Sequence, residues 1–416
     1  MRKIVIIGAG ASGMMCAIET AKNNKNTKIV ILEHNLSAGK KILATGNGRC
    51  NLTNKQMDVN QYRSHDMDRL EELFGEPDAF EVIKTFNELG MLCIDKNGYV
   101  YPYSGQAATV NDVLVNACIN MGVEFVYDAH VLEVEKTEAE VFTIKVSRGI
   151  VDEDGNRKKL RETYTADKVV LACGSKAYPK LGSDGSGYAI ANKLNLKLID
   201  VVPALTGLKC KEKIYHIGAG VRTGAVVKMY VDHELKATER GELQLTDYGI
   251  SGIPVFQVSR YASYGIADGC KVHAVIDFMP EYETDEINEF ISSRLEKNIT
   301  IGNILCGMIN CKLAKMLLNY CRIDETSTKS MLSCDDVQEL VKAIKEFYTV
   351  IVGTNDYEQA QVCAGGVKLS EIDNTFQAKN IPGLYIIGEM LDVDGVCGGY
   401  NLHFAWISGI TVGRNI

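Results

Sequence analysis

The sequence predicts an α/β fold: a parallel sheet with helices, interrupted by a β-rich insert and a helical block before the chain returns to that sheet. Three observations carry this expectation. A strand, glycine turn, helix and second strand open the chain, strict apolar–polar alternation sets in beyond residue 196, and another strand followed by a glycine-dense turn closes it at 383–402. At 416 residues the chain has room for roughly two to three domains and a large core.

Residues 3–7 (KIVII) are a short apolar run rich in Ile and Val, the composition of a parallel strand covered on both faces. Gly8-Ala9-Gly10-Ala11-Ser12-Gly13 follows directly, residues 14–22 carry a helical pattern, and residues 28–32 (KIVIL) form a second strand that Glu33 ends. Each glycine has a physical reason. Gly8 permits the tight turn, Gly10 lets backbone N–H groups approach a pyrophosphate, and Gly13 lets helix and strand pack closely. Ala11 and Ser12 complete the turn at a helix N-terminus, which favours negative charge. Glu33, twenty residues beyond Gly13, is placed to accept hydrogen bonds from ribose hydroxyls and would repel a 2′-phosphate. The unit therefore reads as a dinucleotide site for NAD or FAD, not NADP.

Composition narrows the function classes. Hydrophobic residues at 46% and charged residues at 24% exclude a mostly disordered chain. The 45 basic and 53 acidic side chains leave a net charge of −8, which argues against nucleic acid or an anionic membrane as the main partner. Thirteen scattered cysteines with no Cys-x-x-Cys pair point to a reducing cytoplasm and away from a zinc ribbon or a thioredoxin-like dithiol. No apolar stretch reaches the roughly 18 residues that a membrane-spanning helix needs. Gly8, Gly10 and Gly13 also break the N-terminal run that superficially looks like a signal peptide.

Residues 39–54 (GKKILATGNGRCNLTN) hold three glycines, three asparagines and three cations. Such a segment reads as a loop that wraps an anionic ligand through backbone amides, the plainer alternative being a surface turn with solvated lysines. Lys40, Lys41, Thr45, Gly46, Asn47, Gly48, Arg49, Asn51 and Leu52 are its candidate contacts. Cys50 reads either as a redox thiol or as a small buried filler, and the absence of a nearby second cysteine favours the filler. The segment resembles the hallmark of the BaiN-like (YhiN-like) flavoproteins, also labelled aminoacetone oxidase family FAD-binding enzymes. In that family the first βαβ unit binds the adenosine half of FAD and the hallmark loop lies along the pyrophosphate and flavin. The resemblance therefore implies FAD in place of NAD.

Further along, residues 78–90 and 107–121 have helical periodicity, residues 99–103 (YVYPY) are aromatic and extended, and 123–134 and 141–146 read as strands. Residues 152–159 (DEDGNRKK) read as a charged hairpin tip. The apolar strand at 165–174 ends in Ala172-Cys173-Gly174, similar to the strand by which two-dinucleotide-fold flavoproteins return to the FAD domain. Val131, Ala172 and Gly174 join the expected cofactor contacts. The loop at 178–188 resembles a family stretch and suits either a phosphate contact or a tight crossing between domains. Residues 227–231 and 272–278 alternate at period two, as half-exposed antiparallel strands do. Residues 241–252 (GELQLTDYGISG) resemble a family motif in which Asp247 stands where a His is usual, so a proton-transfer role for that His does not carry over. Residues 284–349 are helical, with Ser333 and Asp336 spaced as a capping box. Gly218-Ala219-Gly220-Val221-Arg222-Thr223-Gly224 imitates a second nucleotide turn, but its spacing differs and a strand pattern follows it.

At the C-terminus, residues 383–389 form an apolar strand ending in Gly388-Glu389, where related flavoproteins place an acid on the ribityl chain. A glycine-dense turn then opens a helix at Tyr400-Asn401-Leu402, whose positive end would face the flavin and stabilise its reduced, anionic form. Compared with the family, His403 and Phe404 replace a Gln-Trp pair. His403 suits a residue that tunes the flavin, a proton shuttle or a packed helical residue, the last being favoured.

The resemblance spans the whole chain. It implies a Rossmann-like FAD-binding domain of the two-dinucleotide-fold flavoprotein type at 1–190 and 350–416, with a β-barrel-like insert at 191–280 and a helical cap at 281–349. Substrate is expected to enter between insert and flavin. The expected function is an FAD-dependent oxidoreductase, reduced by NAD(P)H and passing hydride through flavin N5 to a small organic acceptor of the unsaturated steroid or bile-acid type. The alternatives are an oxygen-dependent, aminoacetone-type amine oxidase and a flavin-bearing RNA-modification or regulatory protein with structural FAD. Spacing singles out no proton donor and no oligomeric state.

Overall fold

The computed structural model describes residues 1–75, 78–151 and 157–416. Two compact units result, Met1–Val201 with Val362–Ile416, and Val202–Gln361. Among the described residues no helix is long and apolar enough to cross a membrane.

The first unit is built on a five-stranded sheet. Its strand order is Leu384–Ile386, Lys168–Leu171, Arg2–Ile7, Thr27–Leu32 and Glu124–Val126, all parallel. Ile4, Val5 and Ile6 are fully buried, as expected of a strand covered on both faces. Each such side chain contributes roughly 1.5–3 kcal/mol of burial free energy. Helix Ala11–Asn23 covers one face together with the C-terminal helix Tyr400–Asn415. Gly409 and Gly413 set that approach, because a Cβ there would stand 2.6 Å from Ser12 O and 2.5 Å from Glu19 Cβ. A bulky residue at either position would force the helices apart.

The single strand expected over 123–134 is two, Glu124–Val126 and Ala129–Lys136, because Asp128 takes a left-handed φ of 52° and turns the chain out of the parallel sheet. The second of these joins an antiparallel sheet with Phe142–Val151 and Arg157–Ala166. The first part of the expected charged hairpin tip, 152–156, lies outside the described residues, and 157–159 belong to strand Arg157–Ala166. Helix Met67–Phe74 has no counterpart in the expected pattern; Asp66 caps it by accepting from Arg69 N at 3.2 Å.

In the second unit, six strands close a barrel in the order Leu208–Cys210, Gly249–Gly252, Glu234–Leu245, Arg222–Val231, Val272–Asp277 and Phe347–Thr354. The alternation read at 227–231 and 272–278 becomes two barrel strands paired in register, Val227 opposite Ile276 and Met229 opposite Ala274. Helix Ile253–Ala267 contributes Val255, Val258 and Ala262 to the same core as Leu243 and Ala274. Four helices follow, Thr284–Leu295, Ile301–Cys306, Cys311–Cys321 and Cys334–Lys345. The last starts in a capping box, Asp336 N donating to Ser333 Oγ at 3.1 Å and Ser333 N to Asp336 Oδ2 at 2.8 Å. Phe347–Thr354 pairs with two other barrel strands, which puts residues 350–354 in this unit.

Candidate active site

Because four parallel strands lie side by side, their carboxyl ends bring four chain turns to one edge: Gly8–Gly13, Glu33, Ala172–Gly174 and Gly388-Glu389. Gly8 has φ 109°, and a Cβ on it would stand 2.3 Å from Ala172 O. A Cβ on Gly13 would stand 2.1 Å from Gly8 O. At Gly10, by contrast, a Cβ would meet nothing within 4 Å. Gly10 is also the N-cap of Ala11–Asn23, with no side chain capping the helix. The first-turn N–H groups, those of Ala11 and Ser12 included, therefore face an open cradle beside a positive helix end, which fits a pyrophosphate.

Glu33 ties this cradle to the second strand. Its Oε2 accepts from Ala9 N at 2.8 Å, and its Oε1 accepts from Asn35 N at 2.7 Å and Asn35 Nδ2 at 2.9 Å. A carboxylate offers about four acceptor positions, so capacity remains for a ribose hydroxyl. Val131 lies half-buried two residues beyond Ala129, whose N donates to Glu33 O at 2.9 Å. The loop at 178–188 runs close by, with Leu181 O 3.4 Å from Asn35 Nδ2.

Lys40 and Lys41 open a short helix, Lys40–Ala44, in place of an uninterrupted loop, and reach opposite ways. Lys40 Nζ donates to Asn35 Oδ1 at 3.0 Å, beside Glu33. Lys41 Nζ lies 2.5 Å from Glu389 Oε2, which also accepts from Ser175 Oγ at 3.4 Å. Gly174, at φ 72°, keeps Ser183 Oγ close to this pair, since a Cβ there would stand 2.6 Å from it and 4.0 Å from Glu389 Oε2. Gly388, at φ 65°, faces Ser12 Oγ across the same edge.

Thr45 Oγ1 donates to Ile42 O at 2.6 Å. Gly46, Asn47, Gly48 and Arg49 then run exposed, with Gly46 and Asn47 both left-handed. Cys50 is buried, and burial pushes its thiol up to about 12, so it stays protonated and serves as filler. The end of the hallmark is fastened to the C-terminal helix. Leu52 O accepts from Trp406 Nε1 at 3.0 Å, and Thr53 Oγ1 lies 2.8 Å from His403 Nδ1. Asn51 Oδ1 is buried and faces Gly399, where a Cβ would stand 2.9 Å from it. Gly399, at φ 97°, is the N-cap of Tyr400–Asn415 and again supplies no side chain. Tyr400 OH donates to Gln56 O at 3.1 Å, while Asn401 clasps Gly395 through both its backbone N and O, at 2.8 and 2.7 Å. Leu402 is half-buried in the first turn.

His403 is fully buried and stacks on Phe74 at 6.3 Å. Burial lowers its pKa to about 4, so it is a neutral, packed residue at neutral pH. Sequence reasoning missed Asn35, Ser175 and the pair formed by buried Asp392 with His65, whose N donates at 2.8 Å and whose Nδ1 lies 3.1 Å away. For Asp392 the available signal was the apolar setting of its immediate neighbours, Met390, Leu391 and Val393.

Fold and site together define a Rossmann-type flavoprotein of the oxidoreductase class. The chain belongs to the family described as HI0933-like protein Rossmann domain, which matches residues 2–415. It is 40% identical over 417 residues to the 3-dehydro-bile acid delta(4,6)-reductase of Clostridium scindens, covering 100% of this chain and 98% of that protein. It is 28% identical over 406 residues to the ribosomal RNA dihydrouridine synthase of Escherichia coli, covering 97% and 95%. Among solved structures, 3-ketosteroid delta1-dehydrogenase from Sterolibacterium denitrificans shares the fold with a TM-score of 0.51 at 12% identity, over 100% of this chain and 99% of that one.

Proposed function

We propose that this chain is an FAD-dependent reductase that draws on NAD(P)H and saturates a C=C bond conjugated with a carbonyl, in a small acceptor of the steroid or bile-acid class. The observation that carries this reading is the end-to-end 40% identity with a 3-dehydro-bile acid delta(4,6)-reductase. When bound, FAD would supply hydride transfer through its N5 position.

The chain's own residues bind and orient. The N–H groups after Gly10 hold the pyrophosphate, and Glu33 holds the ribose. Glu389, neutralised by Lys41, orients the ribityl chain without adding net negative charge beside the phosphates. The uncapped N-terminus at Tyr400–Leu402 presents N–H groups and a positive helix end to the ring system. Asn401, by clasping Gly395, holds the turn before that helix in shape. All thirteen cysteines are free thiols, in keeping with a reducing cytoplasm.

A second reading shares the bond chemistry. Dihydrouridine synthesis also saturates a C=C bond conjugated with a carbonyl, and the relatives named for it cover 97–99% of this chain. The net charge of −8 favours the small acceptor, because an RNA surface is better served by excess cations.

The test is an anaerobic incubation of the flavin-loaded protein with NADH or NADPH and either a 3-oxo-4,6-diene steroid acid or uridine-containing RNA. Two hydrogens gained by the steroid support the reading, and reduction of RNA alone overturns the substrate class. In a separate aerobic assay with an oxygen electrode, oxygen uptake with aminoacetone, together with no anaerobic reduction of either acceptor, overturns the reductase itself.

A further inference from the structure

A small three-stranded sheet in the first unit carries none of the residues assigned above to the cofactor. Strand Tyr99–Pro102 lies between Thr53–Asn54 and Cys93–Lys96. Val100 and Pro102 are buried, so by strand alternation Tyr99 and Tyr101 project from the opposite face, with Tyr99 42% exposed. Tyr99 stands opposite Asn54 and Lys96, and Tyr101 opposite Ile94.

This face adjoins both segments assigned to the cofactor. Asn54 Nδ2 donates to Gly398 O at 3.1 Å. Gly398 is left-handed at φ 139°, and a Cβ on it would stand 2.9 Å from Tyr400 Cε2 and 3.4 Å from Tyr99 Cε1. Tyr99 thus leans over the turn that opens the C-terminal helix. On the other side Arg49 of the hallmark loop is near enough to Tyr101 to oppose the upward effect of burial on its phenol.

We propose that Tyr99 and Tyr101 form the platform on which the acceptor lies, and that they select a flat, fused-ring enone. The proposal rests on the reductase reading above. Side chains two residues apart on a strand are separated by about 6.7 Å, wider than one six-membered ring, so a single ring covers one tyrosine and a fused system covers both. Phenol faces take flat apolar rings in offset contact, and their hydroxyls remain at the wet edge. The missing Cβ at Gly398 lets the platform close onto the turn, so that a molecule lying on it is carried to the cofactor segments.

The flavin-loaded wild type and the variants Tyr99→Ala, Tyr101→Leu and Tyr99→Phe are titrated with a saturated steroid acid and with the 3-oxo-4,6-diene. Equilibrium binding, KM and kcat are read separately, and flavin affinity is measured for each. Tyr99→Ala and Tyr101→Leu should raise Kd and KM about tenfold with kcat and flavin affinity nearly unchanged, while Tyr99→Phe should bind like wild type. Reduction of the diene with unchanged KM in both variants overturns the platform and leaves the reductase reading standing. Tyrosine-dependent steroid binding without reduction upholds the platform and overturns the reductase reading. Tyrosine-dependent binding of oligouridine in place of steroid overturns the fused-ring selection.

Discussion

Gly8-Ala9-Gly10 and Gly218-Ala219-Gly220 are spelled alike, and the molecule uses them for different ends. The first follows a buried strand and opens the thirteen-residue helix Ala11–Asn23. The second begins at the last residue of the short helix Tyr215–Gly218 and leads into the barrel strand Arg222–Val231. Gly8 and Gly13 are required by backbone, with carbonyl oxygens 2.3 and 2.1 Å from where a Cβ would sit. Gly218 instead meets side chains, Leu245 Cδ1 at 2.7 Å and Met316 Sδ at 3.1 Å, and around Gly220 and Gly224 there is nothing within 4 Å. A phosphate cradle needs an uncapped helix end with backbone packed tightly beneath it. Glycine spacing alone supplies neither.

The largest effect is expected at Gly8. Gly8→Ala puts a methyl against Ala172 O in a left-handed conformation, and should cost about 2–4 kcal/mol of stability together with the flavin. Urea denaturation and flavin content would show both losses. If the alanine protein is as stable as wild type and keeps its flavin, the tight turn is not required. Glu33→Arg removes the acceptors for Ala9 N and Asn35 and adds an unpaired cation. Its flavin dissociation constant should rise about a hundredfold, and full stoichiometric retention of FAD would sink the ribose assignment.

Gly10→Ala separates binding from folding. Because the added Cβ meets no protein atom, stability without flavin should stay within about 0.5 kcal/mol, while flavin affinity falls about tenfold. Equal flavin affinity would mean that the pyrophosphate does not lie there. Gly224→Ala is the smallest change expected, within about 0.5 kcal/mol in stability and neutral for flavin, measured in the same two assays. A loss of flavin in that variant would revive the second turn as a nucleotide site.

The local parts of this structure were legible in the sequence. Residues 3–33 spell strand, turn, helix and strand in unbroken order, and each piece depends on neighbours in the chain. Alternation at 227–231 and 272–278 showed the strands but not the barrel closure, which rests on pairings such as Leu208 with Ile250 and with Thr354. Helix Ile253–Ala267 was hidden because its apolar, β-branched composition fits a strand as well as a buried helix. In the site, the glycines and Glu33 could be read from spacing. Lys41 with Glu389, separated by 348 positions, could be matched only as two separate motifs. Asn35 carries no motif and Asp392 stands in one without a stated role, so the parts both play come from where the folded backbone leaves donors and acceptors.

The most direct measurement is the visible spectrum of the purified protein under anaerobic conditions, first with NADH or NADPH and then with a conjugated steroid enone. A yellow, oxidised flavin is expected, which one nicotinamide bleaches within seconds and the enone restores. A protein that takes up no flavin even after reconstitution with FAD, or whose flavin neither nicotinamide bleaches, would contradict this expectation.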